Sequence, residues 1–421
     1  MNRRFVPIAL FVVLVLTMVT SAFAASVSSK RYTRKSSLKV SESRSAQKRM
    51  SRLAHNRSVA KTSVGKAGSR KARLTTVKGK RSRRHRYYER FTANSFTNDD
   101  VTSNDVTAGE DPVVRAAAID ALGNYYGTVV AIDPSSGRIL AMVNQKLALS
   151  EGATPCSTIK LSVALAALSE GIVTRDTKVA LGKTWKMDMT QALAHSNNAY
   201  FEALGRKLGF EKVSHYAHEY GLGEMAGLNI PGEHLGVYPS EELPAKLGGV
   251  GKMCSFGESV SMTPLQLGAM VSAMANGGTL YYLQHPRSAE QVASFQPKVK
   301  RYLDIAPLMP AVAPGMQGAV QYGTARSVRA SFSEEQILGK TGTCSKSGTR
   351  FGWFASYANT QYGRIVTVVF LEGGRPTYGP KAAEIAGHLY RNLYDHSYFA
   401  ERPLDGPLKG SSRTAAAGAT Q

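Results

Sequence analysis

Cysteine, acidic side chains and long apolar runs are all scarce in this chain. The 421 residues include only three Cys, which excludes a small scaffold stapled by many disulfides. His215 and His218 lie three residues apart, but no third ligand follows at metal spacing, so we expect no metal site. The glycine pairs at 277–278 and 373–374 lack the lysine of a phosphate-binding loop, and no internal repeat is visible. We therefore expect neither a metal nor a cofactor.

A single long apolar run lies near the N-terminus, from Phe5 to about Val19. It follows a short basic start, and Ala22-Phe23-Ala24 matches a small-x-small cleavage site. Residues 1–24 are thus predicted to be a signal peptide or, if they are retained, a membrane anchor. No Cys ends this segment, so a lipoprotein is not expected. The protein should be exported to the outer face of the cytoplasmic membrane, the periplasm or the cell wall.

Acidic residues are nearly absent from the next segment. Residues 29–90 hold 22 Lys or Arg against Glu42 and Glu89, a charge of +20 out of +23 for the whole chain. Such a stretch buries too little apolar surface to fold, so residues 25–110 are predicted to be a disordered tether, and residues 400–421 a flexible tail. The tether could bind anionic membrane lipids or wall polymers, or be a solvated spacer without a partner. Export makes nucleic acid an unexpected partner.

The first of three informative strings is Ser157-Thr158-Ile159-Lys160. Apolar residues at helical spacing follow it, so Ser157 is predicted to open a buried helix. Lys160 then lies one turn along the same face and can point its amine at the Ser157 hydroxyl. A lysine whose pKa is lowered by burial can be the general base for a serine nucleophile. The helix N-terminus also directs the Ser157 N–H toward a developing oxyanion.

The second string, Ser196-Asn197-Asn198, interrupts a helical pattern that then resumes, which favours a loop between two helices. Such a loop can bring the Ser196 hydroxyl into a cleft as a proton relay and let Asn198 hold a substrate carbonyl. The alternative is an ordinary helix cap, because Ser and Asn are favoured at caps.

The third string, Lys340-Thr341-Gly342-Thr343, lies among β-rich apolar runs that predict neighbouring antiparallel strands. On an edge strand, the Lys340 ammonium and the two threonine hydroxyls could bind a substrate carboxylate. Gly342 would let a substrate backbone approach closely. We assign the Thr343 N–H, with that of Ser157, to an oxyanion hole. The alternative is a loop lysine beside a turn.

Together, the three strings resemble the SxxK, SxN and KTG motifs of penicillin-binding protein transpeptidase domains and serine β-lactamases. The resemblance runs from about Asp111 to about Phe399 and includes the stretches at 127–142, 256–267, 275–278, 315–316 and 322–325. It implies a transpeptidase domain over residues 111–399. The implied fold is α+β and β-lactamase/transpeptidase-like, with an antiparallel sheet flanked by helices and a mostly helical subregion that carries SxN. The residues alone predict a mixed α+β domain.

The cysteines depart from the pattern of the family. Cys156 stands where these transpeptidases commonly have Gly or another small residue, Cys344 directly follows Thr343, and Cys254 precedes another similar stretch. In an oxidising compartment, a Cys156–Cys344 disulfide is one of three single pairings, and buried free thiols are the alternative. The sequence does not choose among them.

The resemblance implies an exported penicillin-binding serine D,D-transpeptidase that acts on peptidoglycan stem peptides through an acyl-Ser157 intermediate. β-Lactams would then be covalent inhibitors. A D,D-carboxypeptidase or a serine β-lactamase would use the same nucleophile, although the Glu-x-x-Leu-Asn segment of one β-lactamase class is absent. Asn198 also stands where the lysine-carbamylating class usually has an aliphatic residue. A non-catalytic cell-wall-binding or β-lactam-sensing protein is the alternative of another class.

Overall fold

The structure is a computed structural model that describes residues 91–360 and 363–401. The predicted signal peptide or anchor, most of the predicted tether and nearly all of the predicted tail lie outside the described residues. In the part of the chain that is described, no helix combines the length and hydrophobicity needed to cross a bilayer.

Strands and helices alternate irregularly along the described residues. The strands are β1 (Gly127–Asp133), β2 (Arg138–Val143), β3 (Val179–Ala180), β4 (Lys186–Met187), β5 (Thr279–Tyr281), β6 (Val299–Tyr302), β7 (Gln336–Lys346), β8 (Thr349–Thr360) and β9 (Gly363–Gly373). The helices are α1 (Pro112–Leu122), α2 (Gln145–Ala148), α3 (Lys160–Ser169), α4 (Met189–Ala194), α5 (Asn198–Leu208), α6 (Phe210–Glu219), α7 (Gly249–Phe256), α8 (Pro264–Asn276), α9 (Ala289–Ala293), α10 (Met309–Gln321), α11 (Val328–Ser331), α12 (Gly379–Asp395) and α13 (Tyr398–Glu401). Single 3₁₀ turns lie at Cys156–Ile159, Ala245–Leu247 and Ala306–Leu308.

The central sheet has five antiparallel strands in the order β2-β1-β9-β8-β7. The first strand in sequence therefore pairs with the last, with Val130 opposite Val368. Strand β7 forms one edge and pairs only with β8, which places Gly342 opposite Trp353. This edge carries the third string, as the sequence predicted.

Both faces of the sheet are buried, and alternate residues of each strand enter different hydrophobic clusters. On β8, Trp353 packs into one cluster and Phe354 into the other, and on β9 the same holds for Val368 and Val369. This explains why the strands read as nearly continuous apolar runs. Helices α1 and α12 cover one face, and α8 covers the other. The prediction of an antiparallel sheet flanked by helices is confirmed.

Helices α3 to α7 form the mostly helical subregion, with α3 at its centre. Every residue of α3 from Lys160 to Ala167 is buried, and apart from Lys160 and Ser162 these residues are apolar. A helix enclosed in this way cannot move without disturbing its neighbours on every side. It provides a rigid base for the groups at its N-terminal end.

Residues 91–110, which we placed in the tether, pack against the domain. The side chains of Asp105 and Glu110 are both buried and pair with Arg115 of α1 at 2.9 and 2.8 Å. The Ser95 hydroxyl also lies 2.7 Å from that of Thr377. In the sequence this segment resembles a solvated linker, because Arg115, the cation that pairs with its two acidic residues, lies outside the segment.

Candidate active site

The Ser157 hydroxyl lies on a 3₁₀ turn, at Cys156–Ile159, that leads into α3. We expected Ser157 to open the α-helix itself, but the helix begins at Lys160. The reason is local: Cys156 has a φ of +53°, which interrupts helical geometry, and the Thr158 N–H donates back to the Pro155 carbonyl at 3.1 Å. Ser157 remains half-buried at the end of the helix.

The amine of Lys160 is the centre of the site. Its Nζ lies 2.7 Å from Ser157 Oγ, 2.6 Å from Asn198 Oδ1, 3.0 Å from the Ser196 carbonyl and 3.2 Å from Ser196 Oγ. Either protonation state pairs with three of these four oxygens: an ammonium donates three hydrogens, and a neutral amine donates two and accepts one in its lone pair. The neutral form fits if Asn198 Oδ1 and the Ser196 carbonyl accept its hydrogens, because the Ser157 O–H can then donate to the lone pair.

Burial favours this neutral form. The Lys160 side chain is fully enclosed, and loss of solvation lowers its pKa from 10.5 to about 7, against a smaller opposing effect of the Glu202 carboxylate. A lysine with this pKa is half neutral near pH 7. It is therefore able to accept a proton from Ser157 under ordinary conditions.

The loop between α4 and α5 carries the second string, as the spacing predicted. Ser196 has a φ of +53°, a conformation that non-glycine residues adopt mainly at special sites. Asn197 Oδ1 accepts the N–H of Tyr200 and so caps α5. The helix cap that we gave as the alternative is therefore formed by Asn197. Ser196 and Asn198, on either side of it, contact Lys160.

Lys340 projects from the edge strand β7 into the same cluster. Its Nζ donates to Ser196 Oγ at 2.8 Å and to the Thr341 carbonyl at 2.9 Å, and the side chain is completely buried. Burial, and then the nearby charge of Lys160, lowers its pKa well below the ordinary value. Ser196 Oγ thus lies between two amines, 3.2 Å from one and 2.8 Å from the other.

The other residues of the third string contact the protein around them. The Thr341 hydroxyl donates to Thr324 Oγ1 at 2.7 Å, and the Thr343 hydroxyl accepts the Gly379 N–H at 2.7 Å. Accepting that bond uses an oxygen lone pair, so the Thr343 hydrogen remains a donor for a bound anion.

Gly342 has a different neighbour from the one we expected. A Cβ at this position would meet the Pro155 carbonyl oxygen at 2.9 Å and Thr158 Cγ2 at 3.2 Å. The missing side chain therefore makes room for the turn that carries Ser157, and the approach of a substrate backbone at Gly342 stays a prediction. The Trp353 indole N–H also donates to the Thr154 carbonyl at 3.1 Å, which further ties this turn to the sheet.

A disulfide joins Cys156 to Cys344 and leaves Cys254 free and buried. Burial raises the pKa of the Cys254 thiol to about 12, so it is not a reactive thiolate. The structure thus selects one of the three pairings that the sequence left open.

Sequence reasoning assigned no role to Thr324, Gly379 or Trp353. Thr324 lies in a stretch that we noted only for its resemblance, and Gly379 begins a helix that follows β9. Their contacts with the third string and the serine turn depend on tertiary packing, and no local signal predicted them.

The site thus brings together Ser157, Lys160, Ser196, Asn198 and Lys340 from three separated parts of the chain. A serine beside a neutral amine, with a second hydroxyl linked to a second amine, can transfer an acyl group and move the required protons within the protein. The contact of Lys160 with Ser157 agrees with the prediction from spacing, whereas the contact of Lys340 with Ser196 was not predicted.

Comparison with known proteins supports this assignment. The family model described as "Penicillin binding protein transpeptidase domain" matches residues 127–391, more than half of the chain. Stage V sporulation protein D of Bacillus subtilis is 28% identical over 316 residues, which cover 62% of this chain and 48% of that protein. Peptidoglycan D,D-transpeptidase MrdA of Acinetobacter baumannii is 24% identical over 69% of this chain and 54% of its own. The chain spans about half the length of these two curated relatives.

Solved structures agree on the fold. A crystal structure of Pseudomonas aeruginosa PBP2 in complex with WCK 5153 superposes with a TM-score of 0.56 and 25% identity, covering 69% of this chain and 77% of that one. The D,D-transpeptidase domain of a peptidoglycan glycosyltransferase from Eggerthella lenta gives a TM-score of 0.53 at 21% identity, over 68% of this chain and 82% of that one. This chain therefore belongs to the family of penicillin-binding protein transpeptidase domains.

Proposed function

We propose that this protein is a penicillin-binding serine D,D-transpeptidase that acts on peptidoglycan stem peptides and is acylated by β-lactams. The observation that carries the proposal is the 2.7 Å contact between Lys160 Nζ and Ser157 Oγ, made by a lysine whose pKa is lowered to about 7. Family membership and the names of the relatives agree with it.

Acylation begins when neutral Lys160 takes the proton of Ser157. The Ser157 oxygen then bonds to the carbonyl carbon of the penultimate D-alanine, and the carbonyl oxygen becomes an oxyanion that the N–H groups of Ser157 and Thr343 stabilise. Asn198 lies beside this pair and positions the peptide of the substrate, while Thr343 and Lys340 donate to its terminal carboxylate. Thr341, whose hydroxyl hydrogen goes to Thr324, positions this part of the strand.

The leaving group departs when the C–N bond breaks and its nitrogen gains a proton from Ser196. Lys340 donates to Ser196 Oγ and Lys160 lies on its other side, so these two amines can replace that proton. Terminal D-alanine leaves and the acyl group remains on Ser157. Attack by the amine of a second stem peptide then forms the cross-link, whereas attack by water would give carboxypeptidase activity.

Mass spectrometry of the full chain after incubation with benzylpenicillin tests the proposal. We expect one long-lived adduct per chain that is absent from Ser157→Ala. Ser135→Ala is a matched control, since this serine is exposed in the turn between β1 and β2, and it should form the adduct normally. A rapidly cleared adduct with penicillin hydrolysis would instead identify a β-lactamase, and no adduct on folded protein would identify a non-catalytic relative.

Transpeptidation itself is measured with a pair of stem peptides, one as acyl donor and one as amine acceptor. Cross-linked peptide that appears in parallel with released D-alanine supports the proposal. Release of D-alanine without any cross-link would make the protein a carboxypeptidase.

We also propose that the protein is exported and that the basic segment, residues 29–90, holds it near anionic lipids or wall polymers. The charge of +20 on this segment supports this role, because such attraction is electrostatic and weakens with salt. Deletion of residues 29–90 should release the protein from the membrane or wall fraction at low salt. Unchanged fractionation and unchanged extraction by salt would contradict the role.

A further inference from the structure

The disulfide joins the sequence neighbours of Ser157 and Thr343, the two residues whose backbone N–H groups we assign to the oxyanion hole. Cys156 directly precedes Ser157, and Cys344 directly follows Thr343. Their Cα atoms are 5.6 Å apart, although 188 residues separate them in sequence. The bond thus connects the serine turn to the edge strand at the point where the two halves of the hole meet.

The conformation of Cys156 adds a second observation. Its φ of +53° lies in the left-handed region, which a residue with a Cβ avoids unless its surroundings hold it there. Together with ψ of the same residue, this φ sets the direction of the peptide unit that follows, and the N–H of that unit belongs to Ser157. The constraint on Cys156 is therefore a constraint on one donor of the oxyanion hole.

The other contacts between the serine turn and the sheet are non-covalent. The Trp353 N–H reaches the Thr154 carbonyl, two residues before Cys156, and Gly342 packs against Pro155. Neither contact involves Cys156 itself. The disulfide is the covalent link between Cys156 and the edge strand.

Resting on the proposed function, we propose that the Cys156–Cys344 disulfide is a positioning element that holds residue 156 in its left-handed conformation and so keeps the Ser157 N–H opposite that of Thr343. The oxidised protein is then the form that is acylated fast. A dithiol reductant breaks the S–S bond by supplying two electrons and two protons, which yields two thiols and the cyclic disulfide of the reductant. Cys344 is only half-buried, so the bond can be reached from that side.

The test compares the rate of acylation by benzylpenicillin in the oxidised full chain, in the chain reduced with dithiothreitol, and in Cys344→Ser. Loss of one oxyanion donor slows enzymes by about 100- to 1,000-fold, and a displaced donor should cost less, so we expect a decrease of about 10- to 100-fold. The final amount of adduct should stay near one per chain. An unchanged rate, or a smaller final amount at an unchanged rate, would overturn the proposal and make the disulfide only a structural staple.

The double variant Cys156→Gly/Cys344→Ser separates positioning from stability. Glycine adopts the left-handed conformation without strain, so acylation should recover to within a few fold of the oxidised wild type. Glycine also adds freedom to the unfolded chain, which opposes the relief of strain in the native state, so the thermal midpoint should stay near that of Cys344→Ser. A rate as slow as that of Cys344→Ser would refute the positioning role. If the oxidised wild type forms no adduct at all, the proposed function fails instead.

Discussion

Acylation of Ser157 should depend on pH through the amine of Lys160. Only the neutral amine can accept the serine proton, so the acylation rate should follow the neutral fraction of Lys160. Burial lowers its pKa to about 7, so lowering the pH protonates the base and slows the reaction. The rate should reach a plateau above about pH 8.

The size of the effect distinguishes this base from an ordinary lysine. With a pKa near 7, the neutral fraction falls from about 0.9 at pH 8 to about 0.1 at pH 6, a decrease of about tenfold. A lysine with the ordinary pKa of about 10.4 would lose about a hundredfold over the same interval and would show no plateau. The two cases differ in both magnitude and shape.

The assay is time-resolved mass spectrometry of the benzylpenicillin adduct from pH 5 to pH 9, with the rate constant measured at each pH on protein that remains folded. A rate that is independent of pH, or one that rises tenfold per pH unit up to pH 9, would refute the assignment of Lys160 as a base with a lowered pKa.

A substitution at Glu202 tests the same base by changing the pKa of Lys160 from a distance. Its carboxylate opposes the lowering of the Lys160 pKa, and it lies one helical turn beyond Asn198 without a bond to the amine. Glu202→Gln removes this charge, so the pKa of Lys160 should fall further and the midpoint of the profile should move to lower pH. A midpoint that moves upward would contradict the electrostatic argument.

Two further substitutions test the packing around the third string. Gly342→Ala should push the Pro155 backbone away and so slow acylation. It should also lower the free energy of unfolding, measured by heat or denaturant, by about 1–3 kcal/mol. The control is Gly182→Ala, whose Cβ would meet nothing within 4 Å and which should change this free energy by less than about 0.5 kcal/mol. Equal effects of the two changes would contradict the close approach of turn and strand. Thr324→Val removes the hydrogen-bond partner of the Thr341 hydroxyl. One hydrogen bond contributes about 1 kcal/mol, so the substrate concentration for half-maximal acylation should rise by about fivefold, with little change in the limiting rate. A lower limiting rate at an unchanged half-maximal concentration would count against this assignment.

Much of the site could be predicted because its chemistry lies in short strings. Periodicity alone placed Lys160 on the same side as Ser157, and the interruption of a helical pattern placed Ser196 in a loop. The β-rich runs around Lys340 predicted an antiparallel edge strand, which is what β7 is. These are local signals, and local signals survive in a single sequence.

The parts that could not be predicted depend on contacts between distant residues. Nothing in the sequence indicates that Lys340 turns inward to Ser196, or that Gly342 faces Pro155. The left-handed backbone at Cys156 is likewise unexpected for a residue with a side chain. The segment before α1 misled the prediction because Asp105 and Glu110 find their charge partner in Arg115, beyond the segment itself.

The order of strands in the sheet has a consequence for how the protein is made. Strands β1 and β2 are synthesised first, yet β1 must wait for β9, more than 200 residues later, before it gains its second neighbour. Pairing over such a separation is slow, and the waiting hairpin has an exposed edge that another chain can join. Ser157 is likewise synthesised long before Lys340. A chain still emerging from the ribosome therefore carries Ser157 without its partners from the edge strand, and the cluster of side chains is complete only when the last strands of the sheet have arrived.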